Sequence, residues 1–330
     1  MIKKILILAF AIFLIIPLFS CQKTSEPKEA IKVALTLTGS RTDGGWNQTA
    51  FNGLIQIEEK LNAEVVFSEN VKASDYERVL RNYAKDGNDV VIGHGYEFSD
   101  AAIAVGKEFP EIYFIVTSSN ITNHKNIGSI NNDYLQAGFL QGAFAALMTK
   151  TNVVAGIGGM EIPPIINDLK GFIAGAQYIN PNIKALTSTI GSFDDANKAK
   201  EQALSYINQG ADIIMVDADH AGRGVYVATE EKGVLSIGSI AAEYNAYDKS
   251  LISCATADMA TAIFKTVEKI DNGTYVAGFE LMGVKQGIVD FTFSPKLELQ
   301  VPENVKSMLN DLKIKLASNE IDVTKLVPLD

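Results

Sequence analysis

The sequence predicts an α/β protein made of two doubly wound parallel-sheet lobes that share a cleft. Three observations carry this expectation. Short β-branched runs alternate with amphipathic helical stretches from Ile31 onward, the pattern restarts near Val153, and 330 residues suffice for two substantial cores. Apolar residues make up 47% of the chain and charged residues 21%, which excludes disordered, collagen-like and coiled-coil classes. With 39 acidic against 29 basic residues the formal charge is -10, a poor match to nucleic acid, whose phosphates call for a basic footprint.

In the first half, residues 31–38, 64–67, 89–92 and 113–117 read as strands. They are short, apolar and rich in β-branched side chains, as befits strands covered on both faces. Residues 46–61, 74–86 and 99–109 read as helices. Ser74 with Glu77 three residues on forms a capping box, and Pro110 stops the third helix. A short strand precedes Asn131-Asn132-Asp133 where the chain crosses between lobes.

The second half repeats the scheme, with strands at 153–157, 185–190, 212–216 and 234–237 and helices at 164–178, 195–209 and 222–232. A strand at 251–255, a helix at 258–271, a strand-rich tail within 281–293 and an amphipathic helix at 301–316 complete the chain. One lobe thus comprises 31–131 with 256–275, and the other 132–255 with 276–330. No proline- or glycine-rich linker separates them, so several crossings form the hinge.

Residues 1–20 have the form of a secretory signal peptide. Lys3 and Lys4 precede an apolar run from 5 to 19, shorter than the roughly 20 residues that span a bilayer. Leu18-Phe19-Ser20-Cys21 then looks like a bacterial lipobox, with cleavage before Cys21 and lipid on its sulfur; a plain signal peptide with an incidental cysteine is the simpler alternative. Residues 21–30 are polar and aperiodic, as a tether would be. Two cysteines are too few for a disulfide scaffold, and Cys254, inside an apolar strand, reads as a buried inert thiol.

In open parallel sheets, ligands bind beyond the carboxyl ends of the strands. After the first strand comes the loop 39–48, with the chain's single tryptophan, Trp46, opening a helix. Its ring is suited to stack on a planar ligand, with Asp43 and Asn47 beside it; packing as a lid on its own lobe is the alternative. After the third strand, Gly93 and Gly95 permit close backbone approach next to Tyr96. Asp133 stands at the crossing, and Phe193 follows a second-lobe strand as a candidate opposite wall. Asp194 or Asp195 more simply caps a helix. Asp217, Asp219 and His220 look metal-like but lack a full ligand set, so Asp219 is read as a polar ligand contact and no metal site is expected. No G-x-S-x-G, G-x-x-x-x-G-K-[ST], H-E-x-x-H or G-x-G-x-x-G motif occurs, and only in combination with a lipid anchor and a two-lobed cleft does this favour binding over catalysis.

Several segments, in order and spacing, resemble the basic membrane protein family of bacterial lipoproteins. They are Asp43-Gly44-Gly45-Trp46-Asn47-Gln48, Gly95-Tyr96-Glu97-Phe98-Ser99-Asp100-Ala101, Ala137-Gly138-Phe139-Leu140-Gln141-Gly142, Gly158-Gly159-Met160-Glu161-Ile162-Pro163-Pro164 and Gly171-Phe172-Ile173-Ala174-Gly175-Ala176. The resemblance spans about Ile31 to Phe293 and implies a type I periplasmic binding protein fold with an interlobe cleft. Purine nucleoside receptors of this family serve ABC transporters and hold the base between two aromatic rings. The resemblance puts Trp46 at the first ring, Phe193 at the second and Asp133 near an acidic contact. The second lobe departs from the family: its Asp-rich G-V-D-x-D-Q segment is replaced by Gly238-Ser239-Ile240-Ala241-Ala242-Glu243, and its lysine is missing from Ala255-Thr256-Ala257-Asp258. The glycine-rich loop is also altered, to Asp217-Ala218-Asp219-His220-Ala221-Gly222.

The resulting expectation is a solute-binding protein anchored through Cys21 to the cell membrane, facing the periplasm or the exterior. It would bind a small planar ligand, a purine nucleoside or nucleobase, and hand it to an ABC permease, with no cofactor and no nucleic-acid partner. A surface lipoprotein acting in interaction or adhesion is the rival from another class; an occluded cleft or a large exposed patch elsewhere would favour it.

Overall fold

The computed structural model describes residues 29–239 and 241–327. The leader, the Cys21 lipidation site and the tether up to residue 28 lie outside the described residues. The first lobe is built from β1 (Lys32–Leu37), α1 (Trp46–Leu61), β2 (Glu64–Ser68), α2 (Tyr76–Lys85), β3 (Val90–His94), α3 (Ser99–Gly106), β4 (Tyr113–Thr117) and β5 (Ile127–Asn132). The chain then forms α4 (Tyr134–Met148), β6 (Val153–Gly158), α5 (Pro163–Ile179), β7 (Lys184–Thr189), α6 (Ala196–Asn208), β8 (Ile213–Asp217), α7 (Gly222–Lys232), β9 (Leu235–Gly238) and β10 (Leu251–Ala257). It ends with α8 (Met259–Asp271), β11 (Phe279–Met282), β12 (Val289–Phe293) and α9 (Glu303–Ala317).

Two six-stranded sheets result, ordered β11-β5-β4-β3-β1-β2 and β12-β10-β9-β8-β6-β7. All pairings in the first are parallel. In the second only the edge pair β10–β12 is antiparallel. Strand residues alternate between two cores, as the period of two requires. In β1, Val33 and Leu35 face α1 and α8, whereas Ala34 joins the core under α2 and α3. In β6, Val154 faces α4, α5 and α9, while Ala155 and Ile157 face α6 and α7. Both faces of each sheet are covered, which is why the strands are apolar throughout. Cys254 is a buried thiol in this second lobe.

The sheet memberships move one boundary. The sequence reading closed the first lobe at 275, but β11 pairs with β5, with Phe279 opposite Ser129 and Met282 opposite Asn132. The return segment therefore runs to Met282. A four-residue edge strand carries no local signal for which of two sheets it will extend. The chain crosses between lobes after β5, after β10 and after β11, and backbone hydrogen bonds tie the crossings together: Asp133 N–H donates to Met282 O at 2.9 Å, and Asp258 N–H to Ile288 O at 2.8 Å.

Helix α4 has no counterpart in the pattern-based assignment. Residues 137–145 are buried without interruption, so the helix shows no polar face and hence no 3.6-residue alternation. What allows its burial is a pair of glycine notches. A Cβ at Gly138 would stand 2.0 Å from the Asp168 carbonyl oxygen, and one at Gly142 1.9 Å from that of Phe172. The partner helix α5 reciprocates, since Cβ atoms at Gly171 and Gly175 would meet Leu135 O at 2.3 Å and Phe139 O at 2.0 Å. The two backbones touch, and this contact brings Gln141 and Asp168 to the cleft.

Candidate ligand-binding site

The loops after the strands converge as expected. A cleft of about 360 Å³ lies between the lobes, lined from the first by Trp46, Asn47, Tyr96 and Ser118 and from the second by Gln141, Asp168, Phe193, Asp217 and Asp219. These residues sit at or just beyond the carboxyl ends of β1, β3, β4 and β8, or on helices and loops facing those ends.

Trp46 opens α1, and its placement is elaborate. Asp43 stands in for a capping residue, because the nominal cap, Gly45, has no side chain. Its carboxylate accepts hydrogen bonds from the backbone N–H groups of Gly45 (2.8 Å), Asn47 (2.9 Å) and Gln48 (3.0 Å) and from Asn47 Nδ2 (2.8 Å). Burial alone would push the Asp43 carboxyl up, but these bonds hold it below the usual carboxylate range. Asn47 Oδ1 accepts from Gly39 N–H at 3.1 Å, which closes the loop.

Behind the indole lies a histidine between Gly93 and Gly95 that no motif in the sequence singles out. The fully buried His94 stacks on Trp46, with ring centroids 4.1 Å apart and planes 25° from parallel. Its Nε2–H donates to the Trp46 carbonyl (3.1 Å), so Nδ1 is the acceptor for the Thr117 hydroxyl (2.9 Å). Thr117 Oγ1 in turn accepts from Gly95 N–H at 2.9 Å. One face of the half-buried Trp46 is thereby backed, and the residue still lines the cleft.

Burial pushes the His94 imidazole down to about 4. The unfolded chain gains its proton near the ordinary value of about 6.5, so this group's contribution to stability is complete above that pH. It falls as pH drops from about 6.5 to about 4, by roughly 3 kcal/mol in all. NMR titration should therefore find one imidazole neutral down to pH 5. A midpoint near 6.5 for His94 would contradict this.

On the opposite lobe, Phe193 is half-buried in the cleft wall. Gly159 makes room for it, since a Cβ there would lie 2.4 Å from the Phe193 ring. The Phe193 carbonyl accepts from Ala221 N–H at 2.8 Å, tying the aromatic to the Asp219 loop. Asp219 itself adopts a positive φ of 46°, a strained backbone for a residue other than glycine, and it lines the cleft.

Two of the sequence-derived candidates stand elsewhere. Asp43 does not line the cleft, because its oxygens are committed to the start of α1. Asp133 is not a lining residue either: it caps α4 by accepting from Gln136 N–H at 3.1 Å, at the crossing beside Gly283. Both act on the site through what they position. Trp46, Asn47, Tyr96, Phe193 and Asp219 all line the one cleft.

The sequence reading missed the second-lobe floor. Asp168, on α5, is 2% exposed, and its carboxyl meets that of Asp217 at the end of β8. Burial first, then the neighbouring Asp217 charge, raises Asp168 well above the usual range. Burial likewise pushes Asp217 up to about 6, against a hydrogen bond from Ser239 (3.4 Å). The pair is tied by a hydrogen bond that needs one retained proton. Among the described residues no group of three or more His, Cys, Asp or Glu side chains is placed to hold a metal ion.

Residues 30–326 match the family model of PnrA-like substrate-binding proteins of ABC transporters. The chain belongs to this family. As a member of the PnrA-like family it is a binding protein rather than an enzyme, and its two-lobed fold is the family's. It is 25% identical over 306 residues to the transcriptional activator protein Med of Bacillus subtilis, covering 92% of this chain and 95% of that one. It is 24% identical over 304 residues to a purine-binding protein of Brucella abortus, with 90% and 84% covered. Among solved structures, a solute-binding protein of an ABC transporter system from Conexibacter woesei superposes with a TM-score of 0.74 at 25% identity, covering 91% of this chain and all of that one.

Proposed function

We propose that this PnrA-like protein is a lipid-anchored receptor that closes its lobes around a purine nucleoside or nucleobase and delivers it to a permease. The observation that carries the reading is the cleft with an aromatic ring from each lobe, Trp46 backed by His94 and Phe193 seated on Gly159. Stacking supplies affinity without regard to sequence or polarity of the ring edge, and buried polar groups on the floor supply selectivity. The purine-binding name of the Brucella relative supports the same ligand class. Closure follows from contacts that exist only when both lobes touch one molecule, so ligand shifts a hinge equilibrium rather than deforming either lobe.

A ligand that binds only the folded state raises its melting temperature as concentration exceeds Kd. Thermal unfolding against a panel of purine bases and nucleosides should show saturable stabilisation by at least one of them; a flat response across the panel, up to millimolar concentrations, removes the purine assignment. The anchor has its own test. Cys21→Ser should move the protein from the detergent phase to the aqueous phase in detergent partition, and unchanged partition would exclude lipidation at that residue.

A further inference from the structure

The charged residues of the cleft wall are all of one sign. Glu97, Asp168, Asp194, Asp217 and Asp219 line it, and among the described residues no lysine, arginine or histidine does. His220 and Arg223 act on Asp219 without lining the cleft, and Arg223 is itself engaged with Glu243 at 3.5 Å. An acidic cluster alone says little, but two buried acceptors point into this one with nothing to accept. Oδ1 of Asp168 has no hydrogen-bond partner. Gln141, 1% exposed, spends its amide N–H on Gly238 O at 3.3 Å, which leaves Oε1 unpartnered. A buried acceptor without a donor destabilises the empty cleft, and the protein recovers that cost when a ligand supplies the donor. A metal ion would need a converging ligand set, and no such group exists among the described residues. The two aromatic walls suit a flat organic cation instead, because ring faces attract positive charge.

Building on the reading of the cleft as a purine receptor site, we infer that it selects a positively charged planar ligand, a heteroaromatic ring with a cationic or amidine-like edge facing Asp168, Asp217 and Gln141. Neutral oxo-purines carry N–H donors as well as carbonyl acceptors but bring no positive charge to the acidic wall, and phosphorylated nucleotides bring the wrong sign of charge.

The test uses isomers that differ in charge. Isothermal titration at low ionic strength compares 1-methyladenosine, a cation at neutral pH, with N6-methyladenosine, its neutral isomer. A second pair, 1-methylnicotinamide and nicotinamide, asks the same question without a purine. The inference predicts at least a tenfold preference for the cation, reduced severalfold in Asp217→Asn, because Asp217 is the member of the pair that carries the charge while Asp168 keeps the proton. Preference for the cation only in the nicotinamide pair, with neither adenosine bound, would support the charge selection and overturn the purine reading. Equal or tighter binding of neutral N6-methyladenosine would overturn the charge selection and leave the purine reading standing. No binding of any of the four would overturn the charge selection, while the purine reading stands or falls on its own panel of bases and nucleosides.

Discussion

Replacing Trp46 with alanine should weaken binding of any planar ligand by about 1–3 kcal/mol, roughly five- to 150-fold in Kd. In the proposed complex the indole is one stacking wall, and its removal also strips His94 of the ring that covers it. The exposed buried imidazole would then no longer be held in a dry pocket, so the neighbouring Thr117–Gly95 hydrogen bonds loosen with it. Phe193→Ala should cost a comparable amount from the other lobe. Tyr178→Ala, on the outer surface of the second lobe and 44% exposed, is the control and should leave Kd unchanged. Titration calorimetry of the three variants checks this. Unaltered affinity in Trp46→Ala would show that the ligand does not stack there.

The largest effect on stability should come from Gly142→Leu. Its Cβ would sit 1.9 Å from the Phe172 carbonyl oxygen, and the obstacle is backbone, which cannot swing aside. The helices α4 and α5 must separate, opening the core that also holds Phe139, Phe144 and Phe172. A loss above about 4 kcal/mol, or failure to fold, is expected, since overpacking and exposed core act together. Gly222→Ala offers the contrast: the added carbon meets only Val216 methyl groups at 3.4 Å and 3.8 Å, ordinary contact distances, and the position is helical. That variant should be neutral or slightly stabilising in denaturant unfolding, because glycine in a helix carries an entropy cost. A Gly142→Leu protein as stable as the wild type would refute the close helix contact.

The legibility of this fold in its sequence divides along physical lines. Strands such as β1 and β4 and helices such as α1 and α7 announce themselves through local pattern, and their observed limits fall within a residue or so of the expected ones. Helix α4 does not, because a helix buried on every side erases the periodicity by which helices are read. The edge strand β11 was placed in the wrong lobe by local reading, since sheet membership is decided by tertiary pairing alone.

The site shows the same division. The loops after β1, β3, β7 and β8 stood out by glycine and aromatic content, so Trp46, Tyr96, Phe193 and Asp219 were accessible from sequence. His94 looked like a turn residue because its partner Thr117 is 23 positions away. Asp168 lies in the middle of an amphipathic helix, where a lone acid normally faces water. Only the glycine contact with α4 turns it inward. The sequence signal that could have found it was the pairing of Gly138 and Gly142 with Gly171 and Gly175, which marks a helix crossing too close to leave that face to solvent.

The central claim, that a flat molecule occupies the space between the two lobes against the indole of Trp46, has a direct optical readout because the chain holds no other tryptophan. Intrinsic emission should change saturably when the purine that raises the melting temperature is added, with the same Kd as calorimetry and with no change in Trp46→Phe. A ligand that stabilises the protein yet leaves the emission of Trp46 untouched would place its binding somewhere other than this cleft.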